Sequence, residues 1–144
     1  MIRSLGLFHH VDMPGFVENP YAFMGRAGVF VLSSRHEGMP NALMEALAFD
    51  LPLVATDCES GPREILADGK YGTLVPVGQP SPLAGAITAA MEAPLQATRE
   101  RKTAGDRFSL SGCLDKYEEV FRAVTSGMPN RRHPGFRWST EGDD

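Results

Sequence analysis

The sequence predicts an α/β protein with a Rossmann-like parallel sheet and flanking helices. The apolar run Val29–Leu32 does not alternate with polar residues, which indicates a strand buried on both faces, as in parallel sheets. Runs of this kind alternate with segments that begin like helices, such as the one that opens at Pro40-Asn41. Strand–helix alternation is typical of a doubly wound sheet.

The composition is that of an ordinary globular domain. The 144 residues are 42% hydrophobic and 22% charged. A net charge of −4 argues against nucleic acid as a partner, because phosphate binding needs a basic surface. Cys58 and Cys113 make no disulfide framework, and the first ten residues lack the apolar core of a signal peptide. We therefore expect a cytoplasmic protein.

The first elements are predicted from turn chemistry and periodicity. Residues 1–10 are expected to form the end of a helix or the loop after it. Residues 11–17 alternate and then turn, which predicts a short strand ending in a loop. Asn19 is placed to cap a helix over Pro20–Ala27, with proline at its first position. The strand Val29–Leu32 follows.

The later elements continue the same alternation. The helix from Pro40 to about Ala48 is apolar almost all round, which predicts that it is buried. The remaining predictions are strands at Leu51–Thr56 and Thr73–Pro76, and helices that begin at Ser60-Gly61-Pro62, at Ser81-Pro82 and at about Ser111, the last ending near Ser126. Residues 127–144 have turn residues and no period, so we expect a disordered tail after a domain of residues 1–126.

The loop at residues 33–41 is the predicted site, because ligands of such sheets bind at the carboxyl ends of the strands. Glu37 precedes the helix and Glu45 lies about one turn inside it, so the two carboxylates can flank a ligand at the helix N-terminus. The backbone N–H groups of residues 38–41 suit an anion or sugar hydroxyls. A carboxylate can also accept two hydrogen bonds from a vicinal diol.

Plainer interpretations stay open for each of these residues. Glu37 can be a turn residue, and Glu45 can pair with an arginine, although a charge in an apolar helix is costly unless it is paired or liganded. The helix start at Ser60-Gly61-Pro62 is a second candidate anion site, with Arg63 either meeting a phosphate or lying solvated. Cys58 is expected to be packed, and the four histidines show no metal spacing.

Three stretches resemble the retaining glycosyltransferases of family GT4 (glycosyltransferase group 1), which have the GT-B fold. They read EGMPNALMEALA, then PLVATDCESGPREIL, then GKYGTLVPVG. The resemblance runs from about Leu5 to Phe121, and the spacing of Glu37 and Glu45 matches the E-x7-E motif of that family. The resemblance implies that this chain is part of the C-terminal, nucleotide-sugar-binding domain.

The resemblance also implies roles for individual residues. The catalytic position would be Glu37, in contact with the donor sugar or its leaving group. Glu45 would hold the ribose hydroxyls of the nucleotide. The sugar and diphosphate would meet the backbone of Gly38, Met39, Pro40 and Asn41, and the base would lie against Gly15, Phe16 and Val17. The donor substrate would be a nucleotide-diphosphate sugar, and neither a cofactor nor a metal is required.

The implied activity is transfer of a hexose to a hydroxyl acceptor with retention of configuration, in the synthesis of cell-surface polysaccharide. The acceptor would be lipid-linked, which would bring the protein into peripheral contact with the inner face of the cell membrane. Two alternatives are a non-catalytic remnant that binds a nucleotide or a protein, and, with a poorer match, an epimerase or phosphorylase of the same fold.

The chain departs from the family in two respects. Asp50 stands where the family usually has glycine after the helix, and aspartate is a tolerable second choice for a left-handed residue. The N-terminal half of a GT-B enzyme, two strands of the C-terminal half and an Arg/Lys pair for the diphosphate have no counterpart in the sequence. An in-frame coding region upstream of Met1 that carries them would support the enzyme.

We predict that the 144 residues alone are marginally stable and do not transfer sugar. In the strand order 3-2-1-4-5-6 the strand near Val11 would lack its partner and the strand at Val29–Leu32 would lose its other central neighbour. Open apolar edges invite unwanted pairing. Thermal unfolding and assays with nucleotide sugars check this. A cooperative transition with a high midpoint, or turnover of any nucleotide sugar, would contradict it.

Overall fold

A computed structural model describes residues 1–92 and 104–126. It contains one parallel sheet of β1 (Phe30–Leu32), β2 (Leu53–Thr56) and β3 (Thr73–Val75), in the order β1-β2-β3. The helices are α1 (Tyr21–Met24), α2 (Asn41–Ala48), α3 (Pro62–Ile65), α4 (Pro80–Glu92) and α5 (Leu110–Thr125), and residues 104–106 are also helical. The predicted α/β fold with a parallel sheet and flanking helices is confirmed.

The core lies between β2 and α2. Every residue of β2 is buried, because β1 and β3 cover its two edges and helices cover its faces. Helix α2 packs against β1 and β2, and α4 packs against β2 and β3. Leu43 and Leu47 of α2 are fully buried, and they meet Ile65 and Leu66 at the end of α3. This packing brings the ends of β1 and β2 and the starts of α2 and α3 together.

Two of the predicted burial patterns are wrong. The residues of β1 are only half-buried, since β2 is its sole strand partner in the described part of the chain. Helix α2 buries one face, with Leu43, Ala46 and Leu47 inside and Ala42 and Ala48 exposed. Alanine is small enough to sit on either side of a helix, so an apolar helix need not be buried all round.

The predicted strand over residues 11–17 is not formed. Val11, Met13 and Phe16 are exposed, and within residues 1–92 and 104–126 this segment pairs with no strand. An alternating pattern makes a strand only when a neighbour accepts its backbone hydrogen bonds. Residues 1–10 form turns, with Gly6 at φ 69°, which agrees with the loop that was expected there.

Several helix boundaries differ from the prediction. Pro20, not Asn19, stands at the cap of α1, and its carbonyl accepts hydrogen bonds from the N–H groups of Phe23 and Met24. Helix α4 begins at Pro80, before the predicted Ser81-Pro82 start. Ser109 caps α5 by accepting a hydrogen bond from the N–H of Gly112 at 3.2 Å. The predicted tail at residues 127–144 lies outside the described residues.

The apolar side of α5 faces solvent. The predicted amphipathic helix is present, but its apolar residues are all more than half exposed: Leu110, Leu114, Tyr117, Val120, Phe121 and Val124. Asp50 adopts the predicted left-handed conformation, with φ 56°. Of the helices in the described ranges, none has both the length and the apolar character needed to cross a membrane.

Candidate functional site

The site is built around the β1–α2 loop, residues 33–40, at the carboxyl edge of the sheet. Pro40 ends the loop in an extended, buried conformation, and α2 begins at the next residue without a side-chain cap. The backbone N–H groups of Gly38, Met39 and Asn41 donate no hydrogen bond to any residue in the described ranges. Free N–H groups at a helix start, aligned with the helix dipole, favour an anion.

Glu37 is held both by its side chain and by its backbone. The Ser34 hydroxyl donates a hydrogen bond of 2.6 Å to Oε1 of Glu37. The Ser60 hydroxyl donates a hydrogen bond of 2.7 Å to the Glu37 carbonyl oxygen. Of these two donors only Ser34 bonds the half-buried carboxylate, which has further lone pairs for a ligand. Glu37 is therefore a turn residue whose side chain and backbone are both held by hydrogen bonds.

Thr56, at the end of β2, also supports the β1–α2 loop. Thr56 is the buried polar residue of the core, and its hydroxyl lies 2.5 Å from the Ser34 carbonyl and 3.3 Å from the Leu32 carbonyl. A hydroxyl has one proton, so the shorter contact to Ser34 is the stronger hydrogen bond. A buried hydroxyl without a partner would cost about 1–3 kcal/mol, and this bond avoids that cost while fixing the loop.

The β2–α3 loop touches the start of α2 directly through Gly61. This residue has φ 86°, a conformation that favours glycine. A Cβ atom at this position would lie 2.4 Å from the Gly38 carbonyl oxygen and 2.6 Å from Cδ of Pro40. No side chain fits in that space. The SGP sequence therefore serves the neighbouring loop, whereas α3 is only four residues long and lacks a side-chain cap.

Glu45 lies on α2 and accepts a hydrogen bond from a tyrosine of α1. The hydroxyl of Tyr21 is 3.2 Å from Oε1 of Glu45. The ring of Tyr21 stacks on Phe49, with centroids 5.9 Å apart and an interplanar angle of 11°. The nearby Glu45 charge, together with this hydrogen bond, raises the pKa of Tyr21 above its usual value. The arginine partner considered for Glu45 is absent from the described residues.

Arg63 is paired on both sides and is not free for a phosphate. Its guanidinium makes two contacts with Asp57, one of them an Nε–Oδ1 distance of 3.1 Å, and one with Asp68 at 3.3 Å. The hydrogen bonds to Asp57, followed by that to Asp68, raise the pKa of Arg63. All three side chains line an open depression of about 660 Å³. Surface pairs of this kind contribute little stability, and here they hold the β2–α3 loop.

The predicted base-binding residues, Gly15, Phe16 and Val17, lie in a largely exposed segment. Phe16 is 92% exposed, and Gly15 is at φ 75° with open space around it. Among residues 1–92 and 104–126, no hydrogen bond joins residues 15–17 to Glu37 or Glu45. Cys58 is buried, as expected for a packed thiol. The described chain contains no group of three side chains suited to a metal.

Sequence reasoning missed Ser34, Thr56 and Tyr21, and it assigned Ser60 to a helix start. A usable signal existed for Thr56 and Ser60, because parallel neighbouring strands place their following loops at one edge of the sheet. No local pattern points to Tyr21, whose contact with Glu45 crosses 24 residues of the chain.

Comparison with known proteins identifies the family of this chain and supports its fold. A model of the family described as glycosyl transferases group 1 matches residues 1–107. The chain is 40% identical over 77 residues to the Campylobacter jejuni N-acetylgalactosamine-N,N'-diacetylbacillosaminyl-diphospho-undecaprenol 4-alpha-N-acetylgalactosaminyltransferase, which covers 54% of this chain and 21% of that protein. It is 35% identical over 141 residues to an exopolysaccharide phosphotransferase of Streptomyces coelicolor, covering 95% of this chain and 15% of that protein.

Among solved structures, the crystal structure of Anabaena HepE in complex with UDP superposes with a TM-score of 0.75 and 24% identity. The match covers 85% of this chain and 35% of that chain, and it establishes a shared fold. The chain spans about a fifth of the length of the curated relatives that it matches.

Gly61→Ala is predicted to lower the free energy of unfolding by about 1–3 kcal/mol or more, since the new methyl group would add a clash to the positive φ. Gly78→Ala is the matched control, because Gly78 has φ 75° but nothing within 4 Å of the added atom. Urea unfolding of both variants measures the difference. Equal losses would show that Gly61 serves only its own backbone conformation.

The pKa of Tyr21 is predicted to fall towards its usual value of 10.0 in Glu45→Gln. Absorbance titration of a Tyr71→Phe, Tyr117→Phe background isolates Tyr21, and Glu64→Gln is the control. Since folding raises this pKa, the contribution to stability is complete below the unfolded pKa and is lost as the pH rises through the folded pKa. An unchanged titration in Glu45→Gln would exclude the interaction.

Proposed function

Because the chain belongs to the glycosyl transferases group 1 family, we propose that it provides the donor-binding side of a retaining hexosyltransferase of GT4 type. The observation that supports this best is the β1–α2 loop. It places the tethered carboxylate of Glu37 beside free backbone N–H groups at the start of α2, with Glu45 further along the same helix. A diphosphate with a sugar at one end and a nucleoside at the other fits that order.

The N–H groups of Gly38, Met39 and Asn41 would bind the diphosphate in this proposal. Reaction breaks the bond between the anomeric carbon and the diphosphate oxygen, and negative charge grows on that leaving oxygen. Donors already fixed in place stabilise such charge without reorganising. Pro40 supplies no N–H but sets the extended turn that aims its neighbours. Arg63 takes no part, since its charge is balanced by Asp57 and Asp68.

Glu37 would contact the donor sugar next to the breaking bond. Its rigidity suits this role, because a carboxylate placed by Ser34 and Ser60 can orient sugar hydroxyls in the reactive geometry. The acceptor hydroxyl then forms the new bond to the anomeric carbon on the face that the diphosphate leaves, and its proton passes to the leaving diphosphate. Configuration is retained by that path. No step in this scheme draws on a cofactor.

Glu45 would hold the ribose. A vicinal diol presents two donors, and a carboxylate accepts both in a bidentate arrangement. Oε1 of Glu45 already accepts from Tyr21 but has a second lone pair, and Oε2 accepts from no residue of the described ranges. Residues 15–17 would lie against the base in this proposal, and the exposed side chain of Phe16 is open to such a contact.

The acceptor is proposed to be a lipid-linked saccharide at the inner face of the cell membrane. The Campylobacter jejuni relative carries diphospho-undecaprenol in its name, and the Streptomyces coelicolor relative is named for exopolysaccharide. Both names favour a place in cell-surface polysaccharide synthesis. The second name also describes a phosphotransferase, but this chain covers only 15% of that protein, so the name need not describe the matched part.

A second candidate function is a nucleotide- or protein-binding module without transfer activity. The half-buried edge of β1 and the exposed apolar side of α5 favour it, since both can receive another chain. Assay of the complete gene product that contains residues 1–144 separates the two. Sugar transfer supports the enzyme, whereas nucleotide binding without any transfer supports the module.

Glu45→Gln is predicted to weaken binding of a ribonucleoside diphosphate about tenfold or more, because hydrogen bonds to a charged acceptor are the stronger kind. Binding of UDP, GDP and ADP is measured by calorimetry, and the tightest is compared with its 2′,3′-dideoxy counterpart, the deoxy form, which has no ribose hydroxyl left for Glu45. The deoxy form should bind Glu45→Gln and the wild-type chain alike, since it has no diol. Glu64→Gln is the control variant. A wild-type chain that does not distinguish the two sugars would exclude the ribose role.

A further inference from the structure

We propose that Tyr21 is the positioning residue for Glu45, holding its carboxylate in the orientation that receives the ribose diol of a nucleoside diphosphate. The inference rests on the proposed function and adds a residue from a different helix to the donor site. Tyr21 would not touch the reacting atoms. It would act through Glu45 by reducing the number of conformations that the carboxylate can adopt before the nucleotide arrives.

The geometry that supports this is a two-point contact between Tyr21 and α2. Glu45 and Phe49 are four residues apart, so they are neighbours on one face of the helix, one turn apart. Tyr21 spans both: its ring stacks on Phe49 at 5.9 Å, and its hydroxyl reaches Oε1 of Glu45 at 3.2 Å. The stacked ring fixes where the hydroxyl can be, and the hydroxyl fixes the carboxylate.

Helix α1 is built to present this tyrosine. The helix is a single turn, and Met24 is its buried residue, packed in the core with α2. The N–H of Gly25 bonds to the Tyr21 carbonyl at 2.9 Å, and a Cβ at Gly25 would lie 3.8 Å from the Phe49 ring. Phe23 is exposed. Met24 therefore anchors the helix in the core, and Tyr21 contacts Glu45 and Phe49 beside it.

Glu45 needs such a partner because it is otherwise untethered. Glu37 has Ser34 and Ser60, but in the described part of the chain Glu45 has only the Tyr21 hydroxyl. A half-exposed glutamate samples several rotamers, and a ligand that requires one of them must offset the lost freedom. A hydrogen bond that favours one rotamer in advance raises affinity for ligands that use the carboxylate, and for no others.

Tyr21→Phe tests the proposal, because it keeps the ring and deletes the hydroxyl. The affinity of the tightest of UDP, GDP and ADP, relative to its 2′,3′-dideoxy counterpart, is expected to fall about three- to tenfold. Binding of the deoxy form should not change, whereas a merely structural role of Tyr21 would weaken the binding of both ligands. Tyr117→Phe is the matched control, since Tyr117 stacks on Phe121 in α5 and its hydroxyl makes no hydrogen bond to another described residue.

A double-mutant cycle with Glu45→Ala isolates the pairing. In the Glu45→Ala background, Tyr21→Phe should have no further effect on the ratio of the affinity for the nucleotide to the affinity for its deoxy form. An unchanged ratio in Tyr21→Phe, with discrimination lost in Glu45→Ala, would overturn this inference and leave the ribose role intact. A wild-type chain without discrimination would overturn the ribose role itself.

Phe49→Leu gives a second, independent test of the proposal if Tyr21→Phe does not fold. It removes the stacking partner and keeps the hydroxyl, so the ratio should fall by less than in Tyr21→Phe, with unaltered binding of the deoxy form. Circular dichroism establishes folding of each variant. A Phe49→Leu ratio equal to that of the wild-type chain would overturn the claim that stacking sets the hydroxyl.

Discussion

The approach of Gly61 to Gly38 and Pro40 is the constraint on which the site depends. Two loops from neighbouring parallel strands meet there at a distance that excludes any side chain. The contact sets the start of α2 and so the direction of its free N–H groups. Ser60, next to it, reaches the backbone of Glu37 from the same loop. Without this close approach, the start of α2 would not be fixed relative to the Glu37 carboxylate.

The charges of this region are arranged in two separate groups. Glu37 and Glu45 are held by hydroxyl groups, which leave their charge uncompensated and their remaining lone pairs open. Arg63 lies at the start of α3 but is neutralised by Asp57 and Asp68, so it supports a loop and does not attract an anion. Arg63 therefore adds little to the attraction for a diphosphate, to which the backbone N–H groups at the start of α2 contribute.

Apolar residues are exposed where an element lacks a second surface to pack against. β2 is covered on both edges and both faces, whereas β1 has one partner strand in the described chain and is half-buried. The large apolar residues of α5 and most of those in the first seventeen residues are exposed. Chain order alone does not bury an apolar side chain, because burial requires a second surface with which it can pack.

The sequence by itself determined the strands at β1, β2 and β3, the helix over Asn41–Ala48 and the placing of Glu37 before Glu45, since periodicity and turn chemistry act over a few residues. Only the tertiary structure decided which hydroxyl meets each carboxylate. Ser60 and Glu37 are 23 residues apart, and Tyr21 and Glu45 are 24 apart, so each pair depends on the path of the chain. The same dependence applies to residues 11–17, where the alternating pattern predicted a strand that does not form and that no strand of the described sheet pairs with.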